Sequence, residues 1–171
     1  MSVGVVVINK KHKTIELACD SQISWGNNKL IGQDQYAAPA KYIKNENLIA
    51  LCAGYTYQTT LFEIFSRTHQ IALDSDVGIM EYMLEFSVWA KSKDSTFVLN
   101  NYYLIVHKER VFQVLNYEVK EVLNYAAIGC GMFVALGALS QGATALEAVQ
   151  AAIKYDLYCG GEAVNFNVKI S

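Results

Sequence analysis

The chain opens on an unbroken apolar run, Val3-Gly4-Val5-Val6-Val7-Ile8, which stops at the polar cluster Asn9-Lys10-Lys11-His12-Lys13. A short, mostly β-branched run bounded by a turn signal predicts a strand buried on both faces. Residues 14–19 predict the returning strand, and Asp20-Ser21-Gln22 follows at its end. A turn around Trp25-Gly26-Asn27-Asn28 comes next, and a second turn signal, Ala38-Pro39, leads into Lys41-Tyr42-Ile43. Beyond the polar Lys44-Asn45-Glu46-Asn47, the run Leu48-Ile49-Ala50-Leu51-Cys52-Ala53 predicts a central strand ending at Gly54.

The period then changes. Residues 56–71 carry helical spacing with Leu61, Ile64 and Phe65 on one face. Residues 78–92 predict a second helix, with Ile79, Met83, Phe86 and Ala90 at intervals of three and four. Strands are predicted at 96–100, 102–107 and 111–115, and another at 125–128 ends at Gly129-Cys130-Gly131. Helices at 132–140 and 143–155, the second with Leu146, Val149, Ala152 and Ile153 inward, precede a last strand at 163–170. Runs of strands separated by helix pairs argue for sheets covered by helices rather than alternating βαβ units. The expectation is an α+β fold of four layers, αββα, with two antiparallel sheets between helix pairs. No linker, repeat or low-complexity stretch interrupts it, so residues 1–171 read as one domain with room for a real core.

Composition narrows the function. The chain is 53% hydrophobic and 18% charged with a single proline, Pro39, which is rich for a soluble monomer and predicts apolar surface buried against other subunits. A net charge of −2 supplies no basic field, so nucleic acid is not an expected partner. The apolar start lacks a basic leader, and no run of about 18 apolar residues exists, so neither a signal peptide nor a membrane span is expected and the chain reads as cytoplasmic. Cys19, Cys52, Cys130 and Cys159 are widely spread, without CxxC or Cys/His metal spacing. They read as reduced core or site-lining thiols, with no metal and no organic cofactor. His12, His69 and His107 have no matching Ser or Asp partner, which sets a Ser-His-Asp triad aside.

The candidate chemistry begins at Met1-Ser2. A serine directly behind an initiator methionine can become the first residue of the mature chain, carrying a hydroxyl and an α-amine together. That amine titrates near ~8, close to neutral pH, where a general base works best. An amine that activates its own residue's hydroxyl makes a nucleophile without histidine.

The pattern that gives this weight spans nearly the whole chain. It consists of the first strand with Ser2; Ala18-Cys19-Asp20-Ser21-Gln22 with Gly26-Asn27; and Ala53-Gly54 leading to Thr60-Leu61-Phe62-Glu63-Ile64-Phe65. It continues with Ala127-Ile128-Gly129-Cys130-Gly131 and Asp156-Leu157-Tyr158-Cys159-Gly160-Gly161. No one of these is specific, but their order and spacing are. With them the chain resembles the N-terminal-nucleophile hydrolases of the proteasome β-subunit and HslV peptidase type.

The resemblance implies a self-compartmentalising threonine/serine-type endopeptidase that assembles as a homo-oligomeric ring, acts on peptides or unfolded proteins, and can pair with an ATP-dependent unfoldase. It implies a role for each matched position. Ser2 falls at the nucleophile. Lys41 lowers the hydroxyl's pKa and steadies developing negative charge, and Asp20 orients that lysine. Gly54 offers its N–H to the oxyanion and lets substrate backbone approach closely. Cys130 and Asp156 match residues that position the α-amine, and Cys159 matches a further hydroxyl position. Cys130 and Cys159 stand where the family has serine, and a thiol is the poorer donor. The specificity pocket is expected near Gln22, Leu30 and Ala50. The alternative is a catalytically inactive ring or assembly protein that keeps Met1, because Ser2 would then have no free amine. A non-proteolytic amidase of the same fold is a third reading.

Overall fold

The computed structural model describes residues 2–25, 28–30 and 41–170; the expected turns at Gly26-Asn27 and Ala38-Pro39 lie outside them. The first apolar run is β1 (Val3–Asn9), which turns back through Lys13 into β2 (Thr14–Asp20). A small hairpin of β3 (Ile23–Trp25) and β4 (Asn28–Leu30) follows, then β5 (Tyr42–Lys44) and β6 (Ile49–Ala53). The helices α1 (Thr56–Thr68) and α2 (Asp76–Lys93) lead to β7 (Tyr102–His107), β8 (Arg110–Leu115), β9 (Glu118–Glu121) and β10 (Tyr125–Gly129). The chain ends its regular structure with α3 (Met132–Ser140), α4 (Ala145–Tyr155) and β11 (Ala163–Lys169).

These strands build two antiparallel sheets, ordered β10-β1-β2-β11 and β5-β6-β7-β8-β9. Strand periodicity explains why both sheets are covered on both faces. In β6, Leu51 and Ala53 point between the sheets, where they meet Val6, Leu17 and Ile128. Their neighbours Ala50 and Cys52 point the other way, toward Phe62 and Phe65 of α1 and Met83 and Phe86 of α2. In the first sheet, Val6 faces the middle layer while Val3 and Val5 face α3 and α4, against Ala135, Ala148 and Ala152. Three cores therefore separate four layers, and the architecture is the αββα fold expected from the pattern.

Several local expectations are corrected. Residues 96–100 are irregular rather than a strand, although Phe97 and Leu99 are buried and Val98 between them is exposed. The alternation is real, but a side chain takes the place of a ladder. Gln58 donates to the Val98 carbonyl (2.9 Å) and accepts from the Asn100 and Asn101 N–H groups (3.1 and 3.2 Å). Helix α1 stops at Thr68, three residues short of the expected end, and its inward face carries Phe62 with Phe65 while Ile64 is half exposed. Helix α2 starts earlier than its apolar spacing, because the Ser75 hydroxyl caps the Gly78 N–H at 3.1 Å. Strand β9 was not expected, since three of its four residues are charged; it is the edge of the second sheet, where charge guards against stray pairing. No helix among the described residues is long and apolar enough to cross a membrane.

Candidate active site

The register of β1 against β10 sets Val3 opposite Gly129, so Ser2 lies beside the β10–α3 junction. Ser2 is 4% exposed, and its carbonyl accepts from the Cys130 thiol at 3.3 Å and the Gly131 N–H at 3.4 Å. Gly129 has φ +90°, and a Cβ there would come within 2.1 Å of the Ser2 carbonyl oxygen. Both facts require glycine at that position.

Asp20, at the end of β2, is fully buried and gathers three donors. Its Oδ1 accepts from the Val3 N–H (2.9 Å) and from Lys41 Nζ (2.8 Å), and its Oδ2 accepts from the Gly160 N–H (3.2 Å). One carboxylate thus joins the start of β1, the approach to β5 and the loop after α4. Lys41 is itself only 8% exposed, so this ion pair is internal rather than a surface contact. The loop after α4 is fixed further by Gln22, whose N–H donates to the Gly160 carbonyl at 3.0 Å.

Behind Ser2 sits a cluster of two thiols and a carboxylate. The sulfurs of Cys130 and Cys159 are 3.8 Å apart, and the donor atoms of Cys130, Cys159 and Asp156 all lie within 4.8 Å of one another. Asp156 caps α4, and its Oδ1 accepts from the Tyr158 N–H at 2.8 Å. The contact with Cys159 chiefly, with a smaller backbone contribution at Ser2, holds the Cys130 thiol down to about 7 against burial and the Asp156 charge. The same contact, with burial, pushes Cys159 far up, so the pair is one acidic and one protonated thiol. Burial raises Cys19 to about 12 and raises Cys52 too. Three donors are one short of the closed four-ligand shell of a structural thiolate zinc site.

Gly54 follows β6 at φ +138°, and a Cβ there would meet the Asn101 Oδ1 at 2.2 Å. Asn101 is fully buried and accepts from the Tyr55 N–H (2.6 Å) while donating to the Tyr55 carbonyl (2.9 Å). Gln58 in turn holds Asn101 from α1. This pair sets the backbone at Gly54, and the sequence reading missed both residues. Their only sequence signal was the dipeptide Asn100-Asn101 interrupting an apolar alternation.

These elements meet at one cavity of about 890 Å³, with Ser2, Lys41, Gly54 and Cys130 in its wall. Asp20 lies beneath the wall, and Cys159 and Asp156 lie behind Cys130. Of the expected pocket residues, Gln22 lines the cavity. Ala50 does not: it is fully buried in the core against α1 and α2, and Cys52, two residues on along the same face of β6, reaches the cavity instead. The side chain of Leu30, like Met1, lies outside the described residues. The arrangement offers a small hydroxyl, an ammonium held by a buried carboxylate, and a glycine backbone at one open cleft.

No protein-family model and no curated protein matches the chain. Among solved structures it is similar to Thiobacillus denitrificans BPH in complex with epoxomicin, at TM-score 0.82 and 22% identity over 99% of both chains. It is equally similar to Thiobacillus denitrificans BPH alone, with TM-score 0.82 and 22% identity over 99% of this chain and 98% of that one. At that identity the likeness shows the fold: the layered α+β architecture with two antiparallel sheets is shared over nearly the full length of both proteins.

Proposed function

We propose that the chain is an N-terminal-nucleophile peptidase of the proteasome and HslV type, with Ser2 as nucleophile once Met1 is removed. The observation that carries this reading is the single carboxylate of Asp20, which accepts both from the backbone beside Ser2 and from Lys41 at the wall of one cavity. Epoxomicin, a proteasome inhibitor, is bound by the BPH structure that shares the fold, and this supports the same class of chemistry here.

The proposed steps begin once removal of Met1 frees the Ser2 α-amine. The Ser2 α-amine takes the hydroxyl proton as Oγ adds to the scissile carbonyl, and the Lys41 charge lowers the cost of the forming alkoxide. The Gly54 N–H receives the oxyanion. Collapse expels the amine half of the substrate, protonated by the α-ammonium, and leaves an ester on Ser2. Water, deprotonated by the same amine, adds to that ester and releases the acid half. Cys130, hydrogen-bonded to the Ser2 carbonyl, and Asp156 behind it hold the first residue in place.

Self-assembly into a ring belongs to the same reading. Val77, Met80, Leu84 and Val88 form an exposed apolar stripe along α2, and Phe133 at the cavity and Leu157 after α4 add exposed apolar surface. Closed heterologous contacts between copies would cover such faces. Peptides or unfolded chains are the substrates of a compartment of this kind, and an ATP-dependent unfoldase is the partner that would feed it.

The test is intact mass of the native protein combined with epoxomicin labelling. Loss of Met1 and a single adduct at Ser2 are expected. Ser2→Ala is expected to abolish labelling and turnover, while Ser2→Thr, which stiffens χ1, retains or improves them. Lys41→Ala is expected to cost on the order of a hundredfold in rate, read well below its melting temperature. Stoichiometric retention of Met1 with no labelling would instead assign the chain to the inactive ring-protein reading.

A further inference from the structure

We propose that Cys130 and Cys159 are an oxidisable dithiol, which a hydroperoxide closes to a disulfide and a dithiol reductant reopens, and whose closure silences Ser2. The effect on Ser2 rests on the peptidase reading; the disulfide itself does not.

The geometry separates these two cysteines from the others. Cys130 is half-buried and lines the cavity, so a small oxidant can reach it. Cys159 is 1% exposed and lies 3.8 Å behind it, sulfur to sulfur. Redox-responsive thiols combine access, thiolate character and a neighbouring thiol to resolve the first oxidation product. Cys130 has all three, whereas Cys19 and Cys52 are buried, held protonated and in contact with no other sulfur among the described hydrogen bonds. The chemistry balances with the peroxide as sole oxidant. The Cys130 thiolate attacks one oxygen of the O–O bond, which breaks, and the other oxygen leaves as alkoxide or hydroxide and takes a proton. The Cys159 sulfur then attacks the Cys130 sulfenic acid; the S–OH bond breaks, and hydroxide leaves as water with the Cys159 proton. Two thiols and one hydroperoxide give one disulfide, one alcohol or water, and one further water.

Closure draws the sulfurs from 3.8 Å to about 2.05 Å. The junction carrying Cys130 is fixed between β10 and α3, so the shift falls on Cys159, next to the exposed Tyr155, Leu157 and Tyr158, and strains the hydrogen bonds that hold Gly160 to Asp20 and Gln22. Two consequences reach the site. In the disulfide the Cys130 sulfur can no longer be reprotonated, so the hydrogen bond to the Ser2 carbonyl is lost at every pH. Gly160, adjacent to Cys159, is pulled from the Asp20 carboxylate that it contacts at 3.2 Å.

The experiment treats the native protein with hydrogen peroxide, then digests it with trypsin without reduction. Cleavage after Lys120, Lys154 and Lys169 separates the two cysteines into peptides 121–154 and 155–169. The expected result is a loss of two mass units and these two peptides joined, reversed by dithiothreitol. Cys159→Ser is expected to stop at a gain of one oxygen on Cys130, trapped by a 1,3-dione, with no joined peptide. Epoxomicin labelling of Ser2 is expected to fall at least tenfold on oxidation and to return with the reductant. Four alkylatable thiols after peroxide, or a different pair joined, overturns the dithiol. Equal labelling of closed and open forms overturns the switch. Recovery of labelling with a chelator rather than the reductant assigns the cluster to a cation and overturns it too. If even the reduced protein takes no label, the peptidase reading fails, and the joined peptide still decides the dithiol.

Discussion

Asp20→Asn is the substitution whose cost follows most directly from the structure. The carboxylate accepts two donors at Oδ1 and one at Oδ2, and its side chain is fully buried. An asparagine of the same shape must turn its NH₂ toward one side. At the Oδ1 place it meets both the Val3 N–H and Lys41; at the Oδ2 place it meets the Gly160 N–H. Either choice sets donor against donor, which costs about 1–3 kcal/mol in a buried site. It also takes the negative charge from beside an ammonium that is 8% exposed. Breaking a buried pair costs about 3–5 kcal/mol in total, and for a chain of this size that lowers the melting temperature by roughly 6–20 °C. Thermal and urea unfolding followed by circular dichroism at one protein concentration measures this. Lys41→Met should also destabilise, and the double variant should lose less than the sum by at least about 1 kcal/mol, because the two residues share one interaction. A melting temperature for Asp20→Asn within about 2 °C of wild type, or strict additivity, would refute the reasoning. The same numbers warn that a rate loss in either variant has a structural part.

Two further outcomes are expected. Gly54→Ala places a Cβ 2.2 Å from the Asn101 Oδ1 at a φ of +138°, so it should destabilise by about 1–3 kcal/mol and slow any turnover; Asn101→Ala, by emptying that space, should soften the stability loss in the double variant. Alkylation of Cys130 should follow its thiolate: with the thiol held to about 7, the rate should rise from pH 5 and level off by about pH 8, while Cys19 stays unreactive in the folded protein. A Cys130 profile still climbing at pH 9 would contradict that.

The pattern of apolar positions carried most of the fold because burial on both sheet faces leaves a periodic trace. Val3 to Ile8 could only be a two-sided strand, and Ile79, Met83, Phe86 and Ala90 could only be one face of a helix. The failures are of one physical kind. At 96–100 the alternation of Phe97 and Leu99 was genuine, yet the hydrogen bonds came from Gln58, some forty residues earlier, where no local rule could see them. Strand β9 pairs at an edge and buries little, so it leaves no apolar trace. Ser2, Asp20, Lys41 and Gly54, picked out by the order of short motifs at strand ends, come together at or beside one cavity. Asn101 and Gln58 were not picked out, since a buried amide pair is invisible until the fold brings it together. The pocket residue was misplaced because Ala50 and Cys52 share a face of β6 and only the length of that strand decides which of them reaches the cavity.

The three donors on Asp20 come from positions 17, 21 and 140 residues away along the chain. The first two can be satisfied as soon as β1, β2 and the approach to β5 have formed. The third waits for the loop beyond α4, which leaves the ribosome more than a hundred residues later. Until Gly160 docks, the carboxylate is one donor short and Cys159 has no place behind Cys130. A newly made chain can therefore bring Val3, Asp20 and Lys41 together early, while the Oδ2 side of the carboxylate waits for Gly160. The order of synthesis thus makes this buried cluster one of the later parts of the fold to close.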